Sequence, residues 1–355
     1  MNIDKPFVIY GVGNLGKIAK KYFDDLNIEY VYAVDDYYNT NYGNDEYWKY
    51  TVIHKLNDLS VEEKENYLFI ACITTHSFND IKNNLLKQGC KNVIAFYHLT
   101  GLLKKDHPLD NGWFCDNPDE FLFHKVYDSL DSIVSKLAYY SFYEWRVKQE
   151  EMAYFANCND RFFIPEILDV LNDKETFVDA GAYDGRVTLE FLDKVNNYFE
   201  KIYVFEPDNI NIEKLRKNIY LLNNKDIFVV NKALGDNNKN IGFLHGNDFF
   251  SKIDEKSCDL ISMNTLDNYG IKPTIIKYHL EGYELKAIQG SINTIKKHRP
   301  VVMVTTYHSK DGLYDLPVYL FDNLIDYKFL WRNHNYQGQG SVMYCIPKER
   351  NKNNV

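Results

Sequence analysis

An α/β architecture, two parallel-sheet domains joined by a helical connector, is predicted by three features of the sequence. Short β-branched or aromatic runs alternate with amphipathic helical patterns in two separate stretches, as strand–helix–strand crossovers require. Between those stretches the strand pattern disappears. The last two strand-like runs are joined by the polar loop 333–341, too short for a helical crossover, so the final strand is expected to reverse. The boundaries fall at 1–108 for the first domain, 109–172 for the connector and 173–355 for the second domain. A chain of 355 residues is also roughly twice a typical single domain.

In the first domain the predicted strands are 7–10, 30–34, 67–72 and 93–96, each short enough for a buried parallel strand. Helices fill the gaps. Leu15, Ile18, Ala19, Tyr22, Phe23 and Leu26 recur at helical period and give one apolar face. A second helix spans about 77–88, with Gly89 placed to stop it. The connector reads as helices over 121–143, and aromatics such as Trp113, Phe142 and Trp145 make it too apolar for a solvated linker. The second domain offers strands at 176–178, 202–205, 227–230, 275–278, 301–304, 328–331 and 342–346. Both domains are thus expected to be Rossmann-like, the second with a doubly wound sheet and a reversed last strand.

Charge narrows the partners. Lys and Arg total 41 against 50 Asp and Glu, a formal charge of -9, so no broad basic field exists for nucleic acid or an anionic membrane. No apolar run approaches the roughly 20 residues that span a bilayer, and residues 1–7 lack a basic start with an apolar h-region. The expectation is a cytoplasmic protein without nucleic-acid partners or membrane insertion, its oligomeric state unspecified. Cys72, Cys90, Cys115, Cys158, Cys258 and Cys345 lie far apart and read as reduced thiols. The 29 tyrosines follow no repeat and carry no functional weight.

Two turns carry chemistry. The first is Gly11-Val12-Gly13-Asn14-Leu15-Gly16, a G-x-G-x-x-G between the first strand and its helix. Such glycines let a pyrophosphate approach backbone N–H groups where the helix dipole favours anions. Asp35, at the end of the next strand, is placed to accept hydrogen bonds from a ribose diol. Gly11, Gly13, Asn14, Gly16 and Asp35 therefore form a candidate site for a nucleotide or nucleotide-sugar. A short strand–helix turn also needs glycines whatever it binds. His76 is a lone loop histidine, and no constellation for hydride transfer from NAD accompanies the turn.

The second turn is Phe177-Val178-Asp179-Ala180-Gly181-Ala182-Tyr183-Asp184-Gly185. With two glycines and an acid at either end, it suits a ligand carrying an amine and a carboxylate. Asp179 would pair the ammonium while backbone N–H groups take the carboxylate. S-adenosylmethionine is such a ligand. Glu206 ends the following strand, where a carboxylate holds ribose hydroxyls by the logic applied to Asp35.

The turn at 177–185, Val204-Phe205-Glu206-Pro207-Asp208, Asn231-Lys232-Ala233-Leu234-Gly235-Asp236, Thr265-Leu266-Asp267 and the run 276–284 occur in order. With Tyr307, His308 and Asp311, they resemble the FkbM family of S-adenosylmethionine-dependent methyltransferases over about half of the chain, from Phe162 onward. The resemblance implies a seven-stranded methyltransferase fold and methyl transfer to a hydroxyl of a sugar, glycan or related small molecule. It also implies a cofactor site at Asp179, Gly181, Tyr183, Asp184, Gly185, Glu206 and Asn231.

One departure stands out. Where the family reads I-K-x-D-x-E-G, this chain has His279. At the carboxyl end of the fourth strand it should lie near the transferred methyl group. Three readings compete: His279 is the general base, the enzyme is impaired and retains only binding, or His308 at the end of the fifth strand does the work. Glu281 shapes the turn or orients the acceptor, and Lys277, on the other strand face, pairs a buried acid. His279-Leu280-Glu281 also reads H-x-E, as in zinc deaminases, but no P-C-x-x-C follows, so no metal is expected. The catalytic candidates are His279, His308 and Glu281. The alternatives are a non-catalytic nucleotide-sugar binding protein and an NAD-linked oxidoreductase.

Overall fold

The structure, a computed structural model, describes residues 5–38, 46–105, 107, 112–152, 160–220, 225–245 and 251–350. Cys158 and the expected boundary between 108 and 109 lie outside these residues. The chain divides into two compact units. The first comprises residues 1–116, 141–154 and 335–339, and the second 117–140, 155–334 and 340–355, so the stretch expected as a connector contributes to both. Among the described residues no helix is long and apolar enough to cross a membrane.

The first unit contains β1 (Phe7–Tyr10), β2 (Ala33–Val34), β3 (Ile53–His54), β4 (Leu68–Ala71) and β5 (Asn92–Ala95). They form one parallel sheet in the order β3-β2-β1-β4-β5. Four were expected; β3 adds a fifth, invisible in sequence because it is two residues long and one of them is His54. The helix Asn14–Asp25 buries Leu15, Ala19, Tyr22 and Phe23 as its periodicity predicts, and they pack with Phe7, Ile9 and Phe96.

The second unit contains β6 (Thr176–Ala180), β7 (Lys201–Phe205), β8 (Ile227–Val230), β9 (Ala233–Leu234), β10 (Lys239–Leu244), β11 (Lys252–Ile253), β12 (Leu260–Asn264), β13 (Ile275–Tyr278), β14 (Val301–Thr305), β15 (Tyr327–Asn333) and β16 (Ser341–Pro347). All seven strands expected here join one sheet, ordered β15-β16-β14-β13-β6-β7-β8. Strands β6, β7, β8, β13 and β14 are parallel, and β16 runs antiparallel to both of its neighbours, as the short loop requires. The central strands β6, β13 and β14 are buried along their whole length because helices cover both faces, as parallel sheets demand. Phe177, Phe191, Ile202, Leu215, Ile275, Met303 and Leu330 fill one side of this core.

A second, four-stranded sheet, β11-β10-β12-β9, was not anticipated from sequence. It is built from short segments of mixed polarity, such as Lys239–Leu244, whose burial alternates too weakly to mark a strand. The parallel core sets the stage for ligand binding. The carboxyl ends of β6, β7, β13 and β14 share one edge of the sheet, and the loops leaving them face each other across it.

Candidate active site

A cleft, half open to solvent, lies at that edge. Gly181 and Tyr183 from the turn after β6 line it, with Glu206, Pro207 and Asn211 after β7. Across from them stand His279, Leu280 and Glu281 after β13. The small sheet supplies Ala233, Leu234, Phe243 and Ile253, so the element missed in sequence forms a wall of the site.

The turn after β6 depends on glycine. Gly181 has φ of 78°, in the left-handed region, and a Cβ there would lie 2.0 Å from the His279 carbonyl oxygen. Gly181→Ala is therefore expected to cost about 1–3 kcal/mol of stability and to push β13 away from the turn. A thermal melt alongside a ligand titration checks both effects. Gly185, with φ of 83°, opens the helix Arg186–Lys194 and packs against Leu215.

Asp179 does not reach the cleft. Its side chain is 0% exposed, its Oδ1 accepts from Lys277 Nζ at 2.8 Å and its Oδ2 accepts from Thr188 Oγ1 at 2.7 Å. The ammonium partner expected for it is thus supplied by the protein itself. Lys277, the residue read as pairing a buried acid, also donates to the Gly181 carbonyl at 2.7 Å. This pair buttresses the turn from beneath rather than meeting a ligand.

Glu206 is placed differently. It is buried yet lines the cleft, and it accepts from Tyr183 N–H at 2.8 Å and Asp208 N–H at 3.0 Å. One carboxylate thereby ties the two strand-end turns together and keeps lone pairs for a ligand. Burial pushes its carboxyl up to about 7, against the pull of these backbone hydrogen bonds. Asn211 beside it is a residue that sequence reasoning missed. Its Oδ1 is buried and meets no hydrogen-bond partner among the described residues. Asp184, Gly185 and Asn231 stay outside the cleft wall: Asp184 bonds Arg186, and Asn231 donates to Asn209 Oδ1 at 2.9 Å.

At the opposite side the three catalytic candidates converge. His279 Nε2 lies 3.2 Å from one Glu281 oxygen and His308 Nε2 lies 3.5 Å from the other, with the two imidazoles stacked 4.9 Å apart. The organiser is Glu284. It accepts from Leu280 N–H, Gly282 N–H and Thr305 Oγ1 and lies 2.9 Å from His308 Nδ1. Sequence reasoning quoted Glu284 within a motif and gave it no role. Burial lowers His279 to about 4, so its ring is neutral at pH 7. For His308 burial acts in the same sense, but the charges of Glu281 and Glu284 override it and hold the ring at about 10. Burial works to raise Glu281, and the His308 charge overrides it and holds the carboxyl at about 2.

In the first unit, Gly11 has φ of 98°, and a Cβ on Gly16 would lie 2.1 Å from the Gly11 carbonyl oxygen, so both glycines serve close packing. Gly13 faces open space and Asn14 begins the helix. The Asp35 carboxylate, expected on a ribose, accepts from Val12 N–H at 2.9 Å and Tyr37 N–H at 2.8 Å. It ties the glycine turn after β1 to the loop after β2.

A seven-stranded sheet with one reversed strand and a cleft at its carboxyl ends has the methyltransferase fold. Residues 179–337 match the family described as Methyltransferase FkbM domain. The crystal structure of Methyltransferase FkbM from Methylobacillus flagellatus KT is similar over 96% of this chain and 90% of its own, with 20% identity and a TM-score of 0.71. That likeness extends the shared fold to both units. Precorrin-6y C5,15-methyltransferase from Geobacter metallireducens GS-15 matches 54% of this chain and 91% of its own at 15% identity, with a TM-score of 0.32. A rRNA methylase from Streptococcus thermophilus matches 51% of this chain and 90% of its own at 14% identity, with a TM-score of 0.31. No curated protein matches.

Proposed function

We propose that the second unit transfers a methyl group from S-adenosylmethionine to a hydroxyl of a sugar, glycan or related small molecule. The observation that carries this reading is Glu206. A buried carboxylate with spare lone pairs faces the cleft beside the Gly181 turn, with His279 and Glu281 on the opposite side. The residues present fit the cofactor: Glu206 suits a ribose diol, and the unsatisfied Asn211 Oδ1 awaits a donor. Gly181 lets the turn after β6 pack directly against the His279 carbonyl at the floor of the cleft. When bound, S-adenosylmethionine supplies an electrophilic methyl group on a sulfonium.

The protein's part is positioning. Glu206, Asn211 and the backbone around Gly181 and Tyr183 fix the donor. The apolar wall of Phe205, Leu234, Phe243 and Ile253 excludes water from its surroundings. His279, Glu281 and His308 hold the acceptor oxygen, and in the metal-free protein the neutral ring of His279 is the group that takes its proton. Holding the reacting atoms in line supplies much of the rate without a covalent intermediate.

Isothermal titration of the full chain with S-adenosylmethionine is expected to show one site, and incubation with a sugar acceptor is expected to release S-adenosylhomocysteine. Absence of binding at millimolar donor would remove the proposal. Binding without turnover on any hydroxyl acceptor would leave only a binding protein. NAD titrated in parallel separates the oxidoreductase reading.

A further inference from the structure

We infer that His279, Glu281 and His308 bind a divalent first-row transition cation at the acceptor end of the cleft. The binding stands on geometry alone; only the cation's role in catalysis rests on the methyltransferase reading.

One ligand atom from each of the three side chains can be chosen so that all lie within 4.8 Å of one another. The Glu281 oxygens stand 3.2 Å from His279 Nε2 and 3.5 Å from His308 Nε2. A cation about 2.1 Å from nitrogen and oxygen donors keeps neighbouring ligands roughly 3–3.5 Å apart. These contacts are therefore already at ligand spacing.

Orientation points the same way. Glu284 Oε1 lies 2.9 Å from His308 Nδ1, which leaves Nε2 as the atom turned to the cluster. A carboxylate fixing the far nitrogen of an imidazole is the usual support behind a metal-bound histidine. Glu284 is itself pinned by Thr305 and two backbone N–H groups, so His308 stands on a rigid base. Glu281 takes φ of 51°, and Gly282 follows at 102°, a left-handed turn at which the carboxylate meets both Nε2 atoms.

Access decides what kind of metal site this is. The side chains of His279 and Glu281 are 21% and 32% exposed while that of His308 is 3% exposed, so the cluster is anchored inside and open toward the cleft. Three protein ligands with positions left for solvent or substrate characterise catalytic rather than structural sites. Two imidazoles and one carboxylate favour zinc, iron, cobalt or manganese over magnesium and calcium, which prefer oxygen donors throughout. The sequence expectation of no metal searched for cysteine ligands; the third ligand here comes instead from the end of the next strand. A cation in this position takes the acceptor hydroxyl oxygen as a further ligand and weakens its O–H bond, the proton leaving to solvent.

The test uses the full chain, stripped with a chelator and titrated with Co²⁺. One equivalent is expected to bind with micromolar or tighter affinity and visible d–d absorption, and Zn²⁺ is expected to displace it. His279→Asn and His308→Ala are each expected to weaken Co²⁺ binding about 100-fold or more in protein whose circular dichroism matches that of the folded parent. Glu284→Gln, which touches no cation, is expected to weaken it about 10–100-fold. Stripped protein that takes up neither Co²⁺ nor Zn²⁺ at millimolar concentration overturns the inference, because a proton on His308 then satisfies the two carboxylates. So does uptake that both histidine variants leave unchanged. Donor binding without metal uptake would leave the methyltransferase proposal standing, and metal uptake without donor binding would leave only the cation site.

Discussion

Lys277→Ala is expected to destabilise the protein by about 3–5 kcal/mol, the cost of leaving one member of a buried ion pair without its partner. In a domain of this size that corresponds to a fall in melting temperature of roughly 10 °C. Lys277 and Asp179 are 1% and 0% exposed, so solvent cannot take the place of the missing ammonium. The Gly181 carbonyl loses a donor at the same time. Replacing both members, as in Lys277→Met with Asp179→Leu, is expected to recover much of the loss, since two apolar groups leave no stranded charge. Calorimetry on the three proteins checks the set. A single variant that melts with the parent would mean that the pair does not support the turn.

Glu206→Ala is expected to weaken S-adenosylmethionine binding about 100-fold, because hydrogen bonds to a charged acceptor contribute about 1.5–3 kcal/mol each. The parent should also show a pH dependence with a definite sign. Burial pushes the Glu206 carboxyl up to about 7, so at pH 6 most of it is protonated and gives up part of its accepting capacity. Affinity is expected to rise from pH 6 to pH 8. Binding near pH 6 should release a proton, measurable by titration in buffers of different ionisation enthalpy. Glu206→Gln has no titrating group and should flatten the profile, at lower affinity because its single oxygen can serve only one of the Tyr183 and Asp208 N–H groups. A parent with constant affinity across that range would place the donor away from this carboxylate.

Both predictions separate residues that looked alike in sequence. Asp179 and Glu206 each end a parallel strand ahead of a turn, and both read as ligand-facing acids. Register distinguishes them. Asp179 stands directly beside Lys277 on the neighbouring strand, and side-by-side residues of parallel strands project from the same face of the sheet. The seven strands of the large sheet and its reversed last strand were legible because periodicity and loop length are local properties. The small sheet was not, since its two-residue strands β9 and β11 gain their conformation from neighbours rather than from their own pattern. Glu284 escaped notice for a related reason: it acts on backbone N–H groups of the preceding turn, which carry no residue identity to read. Asn211 had no signal either, one polar residue among several in the helix Asn209–Tyr220.

The tip of the β15–β16 hairpin belongs to the first unit, where Tyr336 N–H donates to the Thr74 carbonyl, Gln337 Nε2 to the Ile73 carbonyl and the buried Arg146 to the Gly338 carbonyl. During synthesis, residues 1–116 therefore emerge from the ribosome long before the segment that completes their own fold. Arg146 can reach the Trp113 carbonyl as soon as it is made, but the Gly338 carbonyl follows it by 192 residues, so the first unit closes only late in synthesis.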